Sequence, residues 1–479
     1  MGFVHHNRMF MKPQKKGFSP EIISCQVLGE MVPRFMDFCD SYCDYFNVHR
    51  RNQSGYAKKY LSGLIMKAPR KNMERIDEYV VGGSYESYQA FISESPWDYT
   101  KLNERLCNDV NDILGGSGSV LCIDESAFSK KGKESVGVSR QWNGRLGKVD
   151  NCQVGVYASL CDGTHSSIID YRLFIPEKWI NDTKRCDKAG IPENKRTYRT
   201  KIELAIEMVD GALSSGVRFG YVAADAFYGR DSKFLNTLAE RGLVFVADIP
   251  NSHTVYLDDP RPYLPRRRNK IGPKHKKLQS RIEPIKVSRL LEQLSADQWN
   301  KVTVRNTTKG KLIVNAYRAM VYVWDGEERH ATKRWLVILH DPLVNEVKWF
   351  FSNADESVSL KTLVEKHAHR YWIERTFQDG KTSVGMADYQ VRGWLAWHHH
   401  MTMVMMALLF MMKERKINKK DFDLLSCQDI VELLNFYLPR KDRTEKAVLS
   451  NMIERHRRRR QSIISAQKRQ KLNNVISTK

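Results

Sequence analysis

Two short apolar runs, each ending in an aspartate, limit what this chain can fold into more than any other feature. Ser119-Val-Leu-Cys-Ile-Asp124 and Gly220-Tyr-Val-Ala-Ala-Asp225 are too short for helices and lack a polar face. A strand that is apolar at consecutive positions must be covered on both sides, so both runs belong inside a sheet flanked by helices. Between them, Glu134–Trp142 and Asn151–Leu160 look like the next two strands, with Asn143-Gly144 as a hairpin signal. Arg199–Leu213 places Ile202, Ala205, Ile206, Val209 and Leu213 at helical spacing and stops at Gly216. Ser232–Arg241 reads as a helix with Gly242 as its C-cap, and Leu243–Ile249 as a further strand.

Three strands, helix, strand, helix, strand is the element order of an RNase H-like (retroviral-integrase-like) α/β core. In that fold the strands ending in Asp124 and Asp225 are neighbours, and their carboxyl ends form one edge of the site. A third carboxylate comes much later, in Arg370-Tyr-Trp-Ile-Glu374-Arg-Thr-Phe-Gln-Asp-Gly-Lys381. Read as one helix from Ser359 to about Lys381, it sets Glu374 on nearly one meridian with Arg370 and Lys381. Taken alone, these are surface ion pairs worth about 0.3–0.5 kcal/mol. With Asp124 and Asp225 upstream, they suggest a metal-dependent phosphodiester site. Carboxylate oxygens suit two Mg²⁺ ions, with Mn²⁺ able to substitute. Asp124 fits the shared ligand, and Asp225 and Glu374 fit ligands of one ion each. Arg370 and Lys381 are then expected to hold the scissile phosphate. His367, one further turn up, is a candidate phosphate contact.

The 479 residues carry 78 Lys and Arg against 55 Asp and Glu, a net charge of +23. That excess favours a polyanionic partner, and double-stranded DNA is the expected one. Lys130, Lys131, Lys133, Arg140 and Lys148 flank the first strands and are candidate backbone contacts. Arg266, Arg267 and Arg268 lie in an acid-free, Pro-rich stretch from Pro260 to Lys277. Trp299, Trp324 and Trp335 are candidates for stacking on a base, or for core packing. Nine cysteines without a Cys-x-x-Cys pair suit a reducing cytosol and argue against zinc. Met401–Met412 is an apolar run that reads as a buried helix, and no membrane partner is expected. His398-His399-His400 points in three directions on a helix and is not a metal tract.

The expected organisation is a helical DNA-binding region at 1–110 and a first core segment at 111–249. A mainly β insertion follows at 250–355, then a second core segment at 356–440 carrying the Glu374 helix, and a basic tail at 441–479. In the helical region Pro33 is a candidate break or helix start. The tail is expected to be disordered, or helical only on DNA.

These residues together resemble the DDE-superfamily transposases of bacterial insertion sequences. The similar branch carries a β-rich insertion and a Tyr-x2-Arg-x3-Glu-x6-Lys signature. Arg370, Glu374 and Lys381 match its spacing, and His367 stands at the Tyr position. The stretches from Asp124 to Gly155 and from Ala224 to Gly229 look like its first and second Asp regions. The resemblance implies binding to terminal inverted repeats, pairing of the ends in a homodimer or higher synaptic assembly, and Mg²⁺-dependent cleavage. Joining of the 3′-OH ends to target DNA then completes cut-and-paste transposition. It also implies a cytoplasmic, nucleoid-associated bacterial protein. Two alternatives stand beside it: a catalytically inactive or domesticated transposase that only binds DNA, and another structure-selective RNase H-like nuclease.

Overall fold

The computed structural model describes residues 20–265, 276–307, 310–420, 422 and 424–477. Arg266, Arg267 and Arg268 lie outside the described residues.

Helices come first: α1 (Pro20–Asp40), α2 (Ser54–Ile65), α3 (Met73–Tyr79), α4 (Tyr85–Ser93) and α5 (Tyr99–Leu114). Side-chain caps start three of them. Asn72 accepts from the Arg75 N–H, Ser84 forms a capping box with Ser87, and Asp98 accepts from Thr100 and Lys101. Pro33 does not break α1. The helix continues past it, and Phe35 and Phe38 both pack on Phe410 (ring centroids 5.1 and 5.3 Å).

The sheet is mixed and ten-stranded. Its first part comprises β1 (Val120–Ser129), β2 (Ser139–Asn143), β3 (Lys148–Cys161) and β4 (Ser166–Leu173). Then follow α6 (Lys201–Ser214), β5 (Tyr221–Ala224), α7 (Ala226–Gly229), α8 (Ser232–Glu240) and β6 (Val244–Ile249). β1 pairs antiparallel with β3 and parallel with β5, and β5 pairs parallel with β6. Ile123 lies opposite Ala224, so the residues that follow, Asp124 and Asp225, sit side by side where β5 ends.

The segment expected as an insertion supplies β7 (Asn300–Thr307), β8 (Gly310–Val323), β9 (Thr332–Asp341) and β10 (Glu346–Ser352). These four are not a separate layer. β10 pairs with β6, with Phe350 opposite Asp248, so one sheet runs from the insertion through the core. The three tryptophans here are engaged: Trp335 donates to the Ala354 carbonyl and lies under Arg318, Trp324 donates to the Glu328 carbonyl, and Trp299 packs near Tyr317 and His340.

The stretch read as one helix from Ser359 to Lys381 is two, α9 (Leu360–Ala368) and α10 (Tyr371–Ser383). The break falls at His369 and Arg370. α11 (Trp394–Ile417) then runs through the middle of the molecule against α2, α4, α5 and β4. It is long and apolar enough to cross a membrane, but its neighbours enclose it. Its three histidines are buried separately. His399 lies between the Ile92 and Trp97 carbonyls and stacks on Trp97, His400 meets Tyr60, and His398 bonds the Trp394 carbonyl. α12 (Cys427–Tyr437) and α13 (Glu445–Ser477) follow, so the described part of the basic tail is helical.

Candidate active site

Backbone hydrogen bonding alone brings Asp124 and Asp225 together. Asp124 accepts from the Glu125 N–H at 2.7 Å. Asp225 caps α7, accepting from the Phe227 and Tyr228 N–H groups at 3.0 and 3.4 Å. Burial and the neighbouring Asp225 push the Asp124 carboxyl up to about 8, against the pull of Arg370. Burial likewise raises Asp225, again opposed by Arg370. Two carboxylates that disfavour each other's charge at a polar sheet edge have the donor chemistry that a hard divalent cation satisfies. The Tyr228 hydroxyl, buried without a hydrogen-bond partner, feels the charges of Glu125, Asp225 and Asp124.

Glu374 stands differently. It is half exposed in the first turn of α10 and bonds Arg370 at 2.6 Å. Among the described residues, no three His, Cys, Asp or Glu side chains converge as a ready-made metal centre. The residues fit a cation at the Asp pair, with Glu374 close enough for its charge to act on Asp124.

Arg370 is the hub. Its guanidinium lies 3.0 Å from Asp248 and 2.6 Å from Glu374, and despite burial four carboxylates keep it protonated: Asp248, Glu374, Asp124 and Asp225, in that order. Asp248, on β6, was not singled out from the sequence. Nothing marks Val-Ala-Asp-Ile as special until β10 and α9 pack over it. Against the cost of burial, His367 and then Arg370 hold the Asp248 carboxyl below its ordinary range.

His367 is not a surface phosphate contact. It lies buried on α9, where it bonds Asp248 and stacks on Phe350 at 4.2 Å with nearly parallel rings. The helix break separates the signature's parts: His367 belongs to α9, Arg370 caps α10, and Glu374 follows one turn on.

Lys381 sits two turns further along α10, half-buried, 5.6 Å from the centre of the Phe128 ring. It makes no hydrogen bond or ion pair with the described residues. Burial and Arg145 pull its ammonium down to about 8, while Asp124 pulls the other way. It therefore lies between the Asp pair and the β2–β3 turn as a cation without a counterion. Glu125, the residue after Asp124, pairs with Lys201 at 2.7 Å and is still near enough to Asp225 for its charge to raise that carboxyl.

Of the expected DNA contacts, Lys131, Lys133, Arg140 and Lys148 are exposed. Lys130 is not free. It lies 3.5 Å over the Tyr389 ring and donates to the Tyr389 carbonyl, and burial pulls its ammonium down to about 7.

A cavity of about 170 Å³ opens beside this centre, lined by Arg305, Lys348, His367, Arg370, Tyr371 and Glu374 among others. Arg305, from the insertion, stacks on Tyr371 at 4.0 Å. A larger cavity, about 490 Å³, lies between α5, β4 and α6 and is lined by none of these carboxylates.

Residues 42–311 match the family described as DDE superfamily endonuclease, a span that includes Asp124 and Asp225 and stops before Glu374. The chain is 27% identical over 361 residues to the probable transposase for insertion sequence element IS701 of Microchaete diplosiphon, covering 74% of this chain and 82% of that protein. Among solved structures it is similar to the piggyBac transposase in a synaptic complex with hairpin DNA, at 11% identity and a TM-score of 0.39, over 85% of this chain and 77% of that one. The family match covers more than half of the chain, with the paired aspartates inside it, and the chain belongs to the DDE superfamily endonucleases.

Proposed function

We propose that this chain is a DNA transposase that cleaves the ends of its own insertion sequence and joins them to target DNA. The observation that carries the reading is the placement of Asp124, within β1, beside Asp225, just past the end of the parallel strand β5, faced by Arg370 and Glu374; β1 itself continues beyond Asp124 to Ser129. The strand order β4-β3-β1-β5-β6 supports an RNase H-like core. The similarity to a probable insertion-sequence transposase supports DNA as the substrate; double-stranded ends bearing terminal inverted repeats, paired in a synaptic assembly of two or more copies, are part of this proposal.

Asp124 and Asp225, with Glu374, would hold the divalent ions, Mg²⁺ in the first instance, which supply an activated oxygen nucleophile and neutralise charge on the leaving oxygen. The chain's own part is positioning. Lys381, with no counterion among the described residues, is placed to hold a phosphate near Asp124. Arg370, fixed by Asp248, sets where Glu374 stands. Asp248 and His367 act through Arg370, as positioning residues.

A supercoiled plasmid carrying the DNA that flanks this reading frame tests the proposal. The chain is expected to nick it at the repeat ends with Mg²⁺, leaving 3′-OH termini, and not with EDTA. Asp124→Ala is expected to bind the same ends and leave them intact. Binding without any metal-dependent nicking by the unaltered chain would favour the DNA-binding remnant instead.

A further inference from the structure

The β2–β3 hairpin carries an aromatic that the fold does not use. Trp142 is 54% exposed, and its cross-strand partner Val149 is 51% exposed. Leu146, in the turn between them, is 47% exposed. The other face of the hairpin is anchored: the Asn143 amide bonds Ser129 and Asp150, and Gln141 bonds the Cys152 carbonyl. Trp142 has no ring or hydrogen-bond partner among the described residues. A rigid β-ribbon thus holds out a tryptophan at considerable solvation cost.

The surroundings say what would cover it. Arg140 shares the exposed face with Trp142, and Arg145 and Lys148 flank the turn, all exposed. From Lys130 to Val149 the one acid is Glu134, which pairs with Lys188. An aromatic face flanked by three cations that make no salt bridge among the described residues suits an unpaired nucleotide, whose base stacks while its phosphate is neutralised. A protein surface would gain from the apolar trio but would have to bury three like charges. The hairpin also adjoins the candidate centre, because Arg145 lies near enough to Lys381 to act on its charge.

We propose that Trp142 is a stacking platform for an unpaired base of the DNA strand being cut, with Arg140, Arg145 and Lys148 on the adjoining phosphates. This rests on the proposed function above and adds a site outside the carboxylates and the α10 cations.

Binding of fluorescein-labelled oligo(dT) and of a blunt duplex of equal length, measured by anisotropy on the full chain in EDTA, tests it without any cleavage. Trp142→Ala is expected to weaken oligo(dT) binding about tenfold and duplex binding about twofold or less, with Trp142→Phe retaining most of the oligo(dT) affinity. Arg140→Ala is expected to weaken both probes alike, as a phosphate contact does. Trp142 lies outside the core, so an unchanged melting temperature accompanies a true loss of stacking. Equal losses on both probes, or none, would overturn the platform. A wild-type oligomer that dissociates in Trp142→Ala would overturn it in favour of a second copy of the chain. If the unaltered chain binds neither probe, the proposed function fails with it; if it binds both and Trp142→Ala matches it, the platform fails alone.

Discussion

Asp124 and Asp225 owe their positions to hydrogen bonds between parallel strands, whereas Glu374 owes its position to one side chain. The first arrangement is rigid and electrostatically unfavourable: two carboxylates lie side by side, and burial raises both. The second is adjustable and neutral: Glu374 is half exposed on a helix that begins at a break, and Arg370 compensates its charge. The backbone can thus hold like charges together at a cost to stability, while a carboxylate borne on a helix is placed by its partner. A divalent cation at the Asp pair would relieve the first arrangement and compete with Arg370 in the second.

The largest effect expected from breaking this comparison is on cleavage. Asp124→Ala, Asp225→Ala and Glu374→Gln should each lower Mg²⁺-dependent nicking by about 10³-fold or more while end binding persists in gel-shift assays. Robust nicking by Glu374→Gln alone would confine the metal chemistry to the strand pair. The next effect is on stability. Arg370→Ala leaves Asp248 buried beside His367 without its cation, and should cost about 3–5 kcal/mol in urea denaturation. Adding Asp248→Asn should recover much of that loss. A simple sum of the two single effects would show that the pair is not coupled.

The strand pair should also leave a pH signature in metal-free protein. In the folded chain Asp124 titrates near 8, far above an ordinary aspartate. Below about pH 4 both folded and unfolded chains hold this proton, so the group contributes nothing. As pH rises, the unfolded chain releases the proton first and folding is progressively disfavoured, fully so above about 8. In EDTA, Asp124→Asn should therefore be more stable than the unaltered chain at pH 8.5 or so, by on the order of a few kcal/mol, with the gap closing toward pH 4. A gap independent of pH would mean that the Asp pair carries no such strain.

What the sequence made legible divides along the same line. Unbroken apolar runs announce buried strands, so the runs before Asp124 and Asp225 could be read directly, as could their order. The Glu374 helix was half readable. The i,i+4 spacing to Arg370 is local and holds, but the break at His369 depends on how α9 packs over β6. That same packing brings His367 to Asp248 and Phe350 instead of to solvent. Asp248 itself could not be found, because its partners lie 119 and 122 positions away. Lys130 was misread for a related reason. In a run of lysines nothing local tells which one meets an aromatic, and Tyr389 arrives from far along the chain.

The smallest effect probes the cation that neither arrangement uses. Lys381 faces Asp124 from α10 but bonds to no described side chain, so its role must show in what it does to DNA. Lys381→Ala should lower nicking about tenfold, roughly 1.4 kcal/mol, and change binding of uncleaved ends far less. Burial and Arg145 bring its ammonium to about 8, so its charge is present at neutral pH and lost as pH climbs through that value. Lys381→Arg keeps the charge at all such pH values. If the cation acts on the cleaved phosphate, nicking by the unaltered chain should fall on the alkaline side, and Lys381→Arg should extend that limb upward. Equal losses in binding and cleavage, with no change in the alkaline limb, would make Lys381 an ordinary backbone contact like Lys131. The comparison would then reduce to carboxylates alone.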